Sequence, residues 1–113
     1  MTNAIPKKLS SFFKKEIEIL FKKAFVKVRY PGLRILVSPR DSQQAYAKLL
    51  LIVPKKVGNA PQRNLIKRRL RSVFYQHSLY LNTHHFIIFT DNRTLSIPFQ
   101  TLETVFKKAL EKK

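Results

Sequence analysis

The stretch Val53–Tyr75, VPKKVGNAPQRNLIKRRLRSVFY, constrains this chain more than any other. It leaves an apolar run, crosses a Lys-Lys pair and a glycine-containing turn, and enters a segment with helical periodicity that we place at about Ala60 to Gln76. Asn59 is positioned to cap that helix. Pro61 falls in its first turn, where a missing N–H costs nothing. At 100° per residue, Ile66, Leu70, Val73 and His77 gather on one side, with Phe74 at the border. Asn64, Lys67, Arg68, Arg71 and Tyr75 gather on the other, and Arg63 and Arg69 flank the apolar stripe. A charged helix face is ordinarily a solvated face of mixed sign. This one holds no Asp or Glu, and like charges three and four residues apart repel. A polyanion would relieve that repulsion.

The remaining composition narrows the choice of polyanion. The 113 residues suffice for one compact domain, and 44% apolar content with nine Phe and four Tyr argues for a packed core. Net charge is +17, from 23 Lys and Arg against six acids. Such an excess attracts phosphate backbones or anionic membranes. Arginine, which grips phosphate through two N–H groups, is concentrated in the central stretch and favours nucleic acid. There is no cysteine, as expected in a reducing compartment. The opening MTNAIPKKLS lacks the apolar segment of a signal peptide. The longest apolar run, Leu49–Val53, is far too short to span a bilayer. A soluble, cytoplasmic protein without membrane contact is expected.

Along the chain, residues 1–8 read as a mobile basic arm. A helix then runs from Ser10 or Ser11 to about Ala24, with Phe13, Ile17, Leu20, Phe21 and Ala24 at helical spacing. Phe25–Tyr30 alternates apolar and basic residues before a Pro31-Gly32 turn. Leu33–Ser38 is a predicted strand. So is Tyr46–Val53, whose apolar end suggests a central place in the sheet. Phe86–Thr90 is a third, after the basic helix. Asp91–Pro98 is a predicted loop. A final helix spans Thr101 to about Glu111, with Leu102, Val105, Phe106, Ala109 and Leu110 inward. The order, helix, two or three strands, helix, strand, helix, predicts an α+β fold with a small mixed sheet. Its helices are expected on one side, leaving the other face partly open.

Catalytic chemistry finds few candidates. Glu16, Glu18, Asp41, Asp91, Glu103 and Glu111 are scattered, whereas two-metal phosphodiester cleavage needs converging carboxylates. His84 and His85 are neighbours that point apart on an extended segment, and His77 stands alone. Gly32 and Gly58, the only glycines, make no nucleotide-binding loop. No catalytic or metal-ligating residue is assigned. RNA binding fits better: Lys55, Lys56, Arg63, Lys67, Arg68 and Arg71 for phosphates, Asn64 for hydrogen bonds, and Tyr75 with the first helix's aromatics for stacking on unpaired bases.

The segment KKVGNAPQRNLIKRRLRSVF resembles the signature of the bacterial ribonuclease P protein component. That signature reads Lys-Lys-x-Gly-x-Ala, then x-x-Arg-Asn-x-x-Lys-Arg-x-x-Arg. It is met at Lys55, Lys56, Gly58, Ala60, Arg63, Asn64, Lys67, Arg68 and Arg71 without interruption. The resemblance implies the non-catalytic subunit of a ribonucleoprotein that removes the 5′ leader of precursor tRNA. Mg2+ held mainly by the RNA subunit would do the chemistry. It implies a monomer, one per ribonuclease P RNA, whose motif helix contacts that RNA. It also implies a cleft between the first helix and the sheet that grips the leader of the precursor tRNA, and the family's aromatic-x-x-Val-Phe pattern there maps best to Ile17, Leu20 and Phe21. The implied fold is that of the second domain of ribosomal protein S5, with a left-handed crossover around the basic helix, against the usual rule. Four positions depart from the pattern: Pro54 stands where Ser is usual, Ile17 for the first cleft aromatic, Ser72 for an acid, and His85 for Asp. The alternatives are a ribosomal or other structural RNA-binding protein, and a self-sufficient ribonuclease.

Overall fold

In a computed structural model, residues 14–41 and 44–110 are described. The expected basic arm, the helix start at Ser10 or Ser11, Phe13 and Glu111 lie outside them. Helix α1 (Lys14–Lys22) precedes strands β1 (Phe25–Tyr30), β2 (Leu33–Pro39) and β3 (Leu49–Ile52). Helix α2 (Ala60–Gln76), strand β4 (His84–Thr90) and helix α3 (Phe99–Ala109) follow, giving α-β-β-β-α-β-α. The alternating Phe25–Tyr30 segment is thus a strand, and it turns back on β2 through Pro31-Gly32. Gly32 has φ +92°, a conformation that admits glycine without strain.

The four strands form one mixed sheet in the order β1-β2-β4-β3, antiparallel except for the β3–β4 pair. The central place expected for β3 belongs to β4, and β3 is an edge. The reason is that an apolar run reports covered faces, not bonded edges. Leu49 and Leu51 face the main core, while Leu50 and Ile52 are half-buried on the opposite face. The expected residues 46–48 of this strand instead tether the chain: Ala47 N–H donates to Tyr80 O, and Tyr46 packs edge-on against Tyr80.

The main core lies between one sheet face and two helices. Leu33, Ile35, Val37, Leu49, Phe86 and Ile88 meet Ile66, Leu70, Val73 and Phe74 of α2 and Leu102, Val105 and Phe106 of α3. The Phe74 ring stands edge-on to Phe86. Leu110, expected inward, is 39% exposed because α3 ends at Ala109. The expectation that all helices share one side is overturned. Helix α1 lies on the opposite face, where Leu20 is buried, Phe21 meets Phe89, and Glu16 pairs with Lys48. Leu36, Ile87 and Leu50 form an apolar row on that face, so it too must be covered.

Candidate nucleic-acid interface

The cationic helix is built by its entry. Asn59 Oδ1 accepts from Gln62 N–H and Gln62 Oε1 accepts from Asn59 N–H, each at 2.9 Å, which satisfies two otherwise orphaned donors. Gly58 is required by this box rather than by its own backbone angles. A Cβ there would press on Gln62 Oε1 and stand 3.1 Å from Gln62 Cβ. Lys55 and Lys56 are exposed on a 3-10 turn immediately before the cap.

On α2 the predicted faces separate as expected, with Ile66, Leu70, Val73 and Phe74 buried. His77, expected on the apolar side, is half-buried and shares a 2.8 Å Nε2–Oε2 contact with Glu103 of α3. Asn64, Arg68 and Arg71 are exposed, and Lys67 is half-buried. Asn64, Arg68, Arg71 and Tyr75 line one shallow depression of about 500 Å3. Tyr75 is held there by ring contacts to Phe74 and Tyr80 at 5.3 and 5.9 Å. Arg63 behaves differently. Its Nε is buried and has no hydrogen-bond partner among the described residues. Ion pairs among the described residues are Glu16–Lys48, Glu103–His77 and Asp91–Arg93, so no motif cation is neutralised by one.

A second surface lies on the other side of the sheet. A cleft of about 690 Å3 opens between α1 and the far face, walled by Ile19, Leu20 and Pro39 and floored by Gln44, Lys48 and His85. Of the three cleft candidates, Leu20 alone lines this cavity. Ile17 is half-buried outside it, and Phe21, 38% exposed, stands at 6.2 Å from Phe89 further along the same face. Sequence reasoning missed the floor. Lys48 Nζ lies 3.0 Å from Glu16 Oε2, and Lys48 N–H donates to His85 Nδ1 at 2.8 Å. Burial, then the charges of Lys48 and Arg40, lower the His85 pKa to about 4, so the ring is neutral near pH 7. The sequence also gave no reason to join Arg29, Arg34 and Phe89. The strand register sets them in one row across β1, β2 and β4, with the Arg34 guanidinium 4.5 Å above the Phe89 ring. The alternation of FVKVRY was their only trace.

The donor set offers little to Mg2+. Among the described residues no three His, Asp or Glu side chains converge, and Glu16, Asp91 and Glu103 are each engaged by a basic side chain. Among the described residues, Arg68 and Arg71 present cations on the outer face of α2, and the cleft on the opposite side of the sheet is lined by Lys23, Arg40 and Lys48 together with the Glu16 and Asp41 carboxylates.

Comparison with known proteins identifies the family and the fold. The family described as Ribonuclease P matches residues 7–113. A ribonuclease P protein component from Phytoplasma australiense is 38% identical over 79 residues, covering 69% of this chain and 69% of its own length. Another, from Onion yellows phytoplasma, is 39% identical over 97 residues, covering 82% of this chain and 67% of its own. Among solved structures, a Staphylococcus aureus RNase P protein mutant with defective mRNA degradation activity superposes with TM-score 0.75 at 20% identity, over 92% of this chain and 86% of its own. The Thermotoga maritima RNase P protein gives 0.69 at 16% identity, over 88% and 94%. No helix among the described residues is long and apolar enough to cross a membrane. With its signature intact from Lys55 to Arg71, its mixed sheet and its three helices, the chain belongs to the bacterial ribonuclease P protein component family, subunits of a tRNA-processing ribonucleoprotein.

Proposed function

We propose that this protein docks on the catalytic RNA of ribonuclease P through the outer face of α2, and holds the 5′ leader of precursor tRNA as a single strand along the far face of the sheet. Arg68 and Arg71, with Lys55, Lys56, Lys67 and Asn64, meet the phosphates of the catalytic RNA. Arg63 donates its buried Nε to the same partner. The single observation that carries this reading is the acid-free face of α2, whose exposed arginines have no ion-pair partner among the described residues. Leu20 and Phe21 face the leader, with Ile17 behind them. Hydrolysis is left to Mg2+ held by the RNA, and the protein's part is to lower the repulsion between RNA strands and to position the leader. One copy acts per RNA, in the cytoplasm.

Reconstitution tests this directly. The protein, added to a ribonuclease P RNA at low magnesium, is expected to restore removal of the leader, and cleavage is expected to vanish when the RNA is omitted. Cleavage without RNA would make the chain a ribonuclease in its own right. Binding without rescue would make it a structural RNA-binding protein.

A further inference from the structure

Strand register sets two like charges directly opposite each other at the end of the sheet remote from His85. Arg29 of β1 pairs with Arg34 of β2, and Arg34 with Phe89 of β4, so the three side chains share one face. Like charges across a strand pair repel, and neither guanidinium has an ion-pair partner among the described residues. The Arg34 guanidinium stands 4.5 Å from the Phe89 ring centroid, and because Arg34 is exposed its other face is open. These groups line a pocket of about 340 Å3 together with Tyr30, Thr90, Asp91 and Arg93. It shares no lining residue with the cleft, and Phe89 lies four residues, about 13 Å, along β4 from His85. Most of its other polar groups are already engaged. Thr90 Oγ1 donates to Ile52 O at 2.8 Å. The Asp91 carboxylate accepts from Arg93 Nη2 at 2.6 Å and Nε at 3.2 Å. Thr94 Oγ1 accepts from Asp91 N–H and donates to Gly32 O, which pins the turn after β4 to the turn between β1 and β2. Three guanidinia against one carboxylate leave two positive charges on a frame already set.

We infer that this pocket is a site for a free nucleoside di- or triphosphate. The base stacks on the open face of Arg34, with Phe89 on the other side of the guanidinium. The phosphates lie between Arg29, Arg34 and the outer N–H groups of Arg93. Face and edge of a guanidinium are separate binding surfaces, so Arg34 serves base and phosphate together. Charge selects the ligand. An RNA strand brings one negative charge per nucleotide, whereas a nucleoside polyphosphate brings several on a ligand of one-nucleotide size. The volume falls at the lower end of the range of about 300–1,000 Å3 for small-molecule sites, room for one nucleotide. The inference does not depend on where the leader lies.

Isothermal titration of the whole chain with ATP, adenosine and inorganic triphosphate, without Mg2+, tests it. One equivalent of ATP is expected to bind about tenfold more tightly than adenosine or triphosphate, since each of those brings only part of the contacts. Arg34→Lys keeps the charge and loses the stack, and is expected to weaken ATP about fivefold and triphosphate by less. Lys108→Ala, which removes an equal charge from the exposed end of α3, is expected to change ATP binding less than about twofold. Cooperative melting near the wild-type midpoint shows that each variant is folded. Equal affinity for ATP and triphosphate, or an Arg34→Lys variant that binds ATP like wild type, would reduce the effect to general attraction of polyanions to a chain of net charge +17 and overturns the inference. So does an absence of ATP binding with a loss of single-stranded RNA affinity in Arg34→Lys, which would make the stacked arginine part of an RNA path.

Discussion

Replacing Arg71 by alanine is expected to change folding and RNA binding in opposite directions. Its side chain is exposed and has no ion-pair or hydrogen-bond partner among the described residues, so truncation removes no native contact of that kind. Lys67 and Arg68 lie four and three residues before it on the same helix. Such like-charged pairs each cost about 0.2–0.5 kcal/mol, so the free protein should become more stable by up to about 1 kcal/mol. A charge-assisted contact to a phosphate contributes about 1–3 kcal/mol, so affinity for the catalytic RNA should fall roughly 5- to 150-fold. If about six phosphates are neutralised in the wild-type complex, the slope of log affinity against log salt is roughly −4 to −5, and the variant should lose nearly one unit of it. Titration of the RNA across a KCl series, with urea unfolding of the free variant, measures all three quantities. Unchanged affinity and slope in folded protein would refute the interface. A loss of stability would reveal an internal partner for Arg71 and remove the argument that its charge awaits a polyanion.

Three further outcomes are expected. Gly58→Ala should displace Gln62 from the capping box and cost about 0.5–1 kcal/mol in urea unfolding, and combining it with Asn59→Ala should cost less than the sum, because both act on one box. Phe21→Ala should weaken binding of leader-bearing tRNA by about 1–3 kcal/mol and of leaderless tRNA by less; equal losses would assign Phe21 to packing on Phe89 alone. Acid should destabilise the protein through His85: the unfolded ring takes up its proton near 6.5, the folded one only at about 4, so stability present above 6.5 is lost as pH falls through that interval. His85→Phe should flatten that limb of the stability profile, and an unchanged limb would assign it to other groups.

What the sequence made legible is what repeats locally. The cap, the proline in the first turn and the two faces of α2 all lie within a few residues of one another, and the structure keeps them. The motif residues could be located on the outer face of α2 for the same reason, apart from Arg63, whose Nε turns inward at the border of the stripe. Edge and centre could not be told apart for β3, because alternation and apolar runs describe faces only. The side of the sheet taken by α1 was equally hidden, since nothing in a helical stripe says which face it covers. The cleft floor was out of reach: His85 meets Lys48 and Gln44 across separations of 37 and 41 residues. The row of Arg29, Arg34 and Phe89 required a register that slips by one residue at a bulge between Val26 and Val28.

The placement of the few acids leads to one more expectation. Glu16 ties α1 to the start of β3, Glu103 ties α3 to the end of α2, and Asp91 pairs with Arg93 in the turn after β4. These pairs serve the joints of the fold, and among the described residues none of them offsets the repulsion along α2. Arg63–Lys67, Lys67–Arg71 and Arg68–Arg71 are spaced for contact at about 5–6 Å, and together they cost about 1 kcal/mol. The Debye length is about 10 Å at 0.1 M salt and about 3 Å at 1 M, so added NaCl screens these pairs within an accessible range. Free protein should therefore gain stability from 0.1 to 1 M NaCl while the RNA complex loses affinity over the same range. The joint pairs oppose the gain, but each is a single, partly exposed contact of small value. Urea midpoints measured at fixed pH across that range decide the matter. A midpoint that falls with salt would mean that attraction, not repulsion, governs the charges of the free protein, and the outer face of α2 would no longer be a surface held in waiting for phosphate.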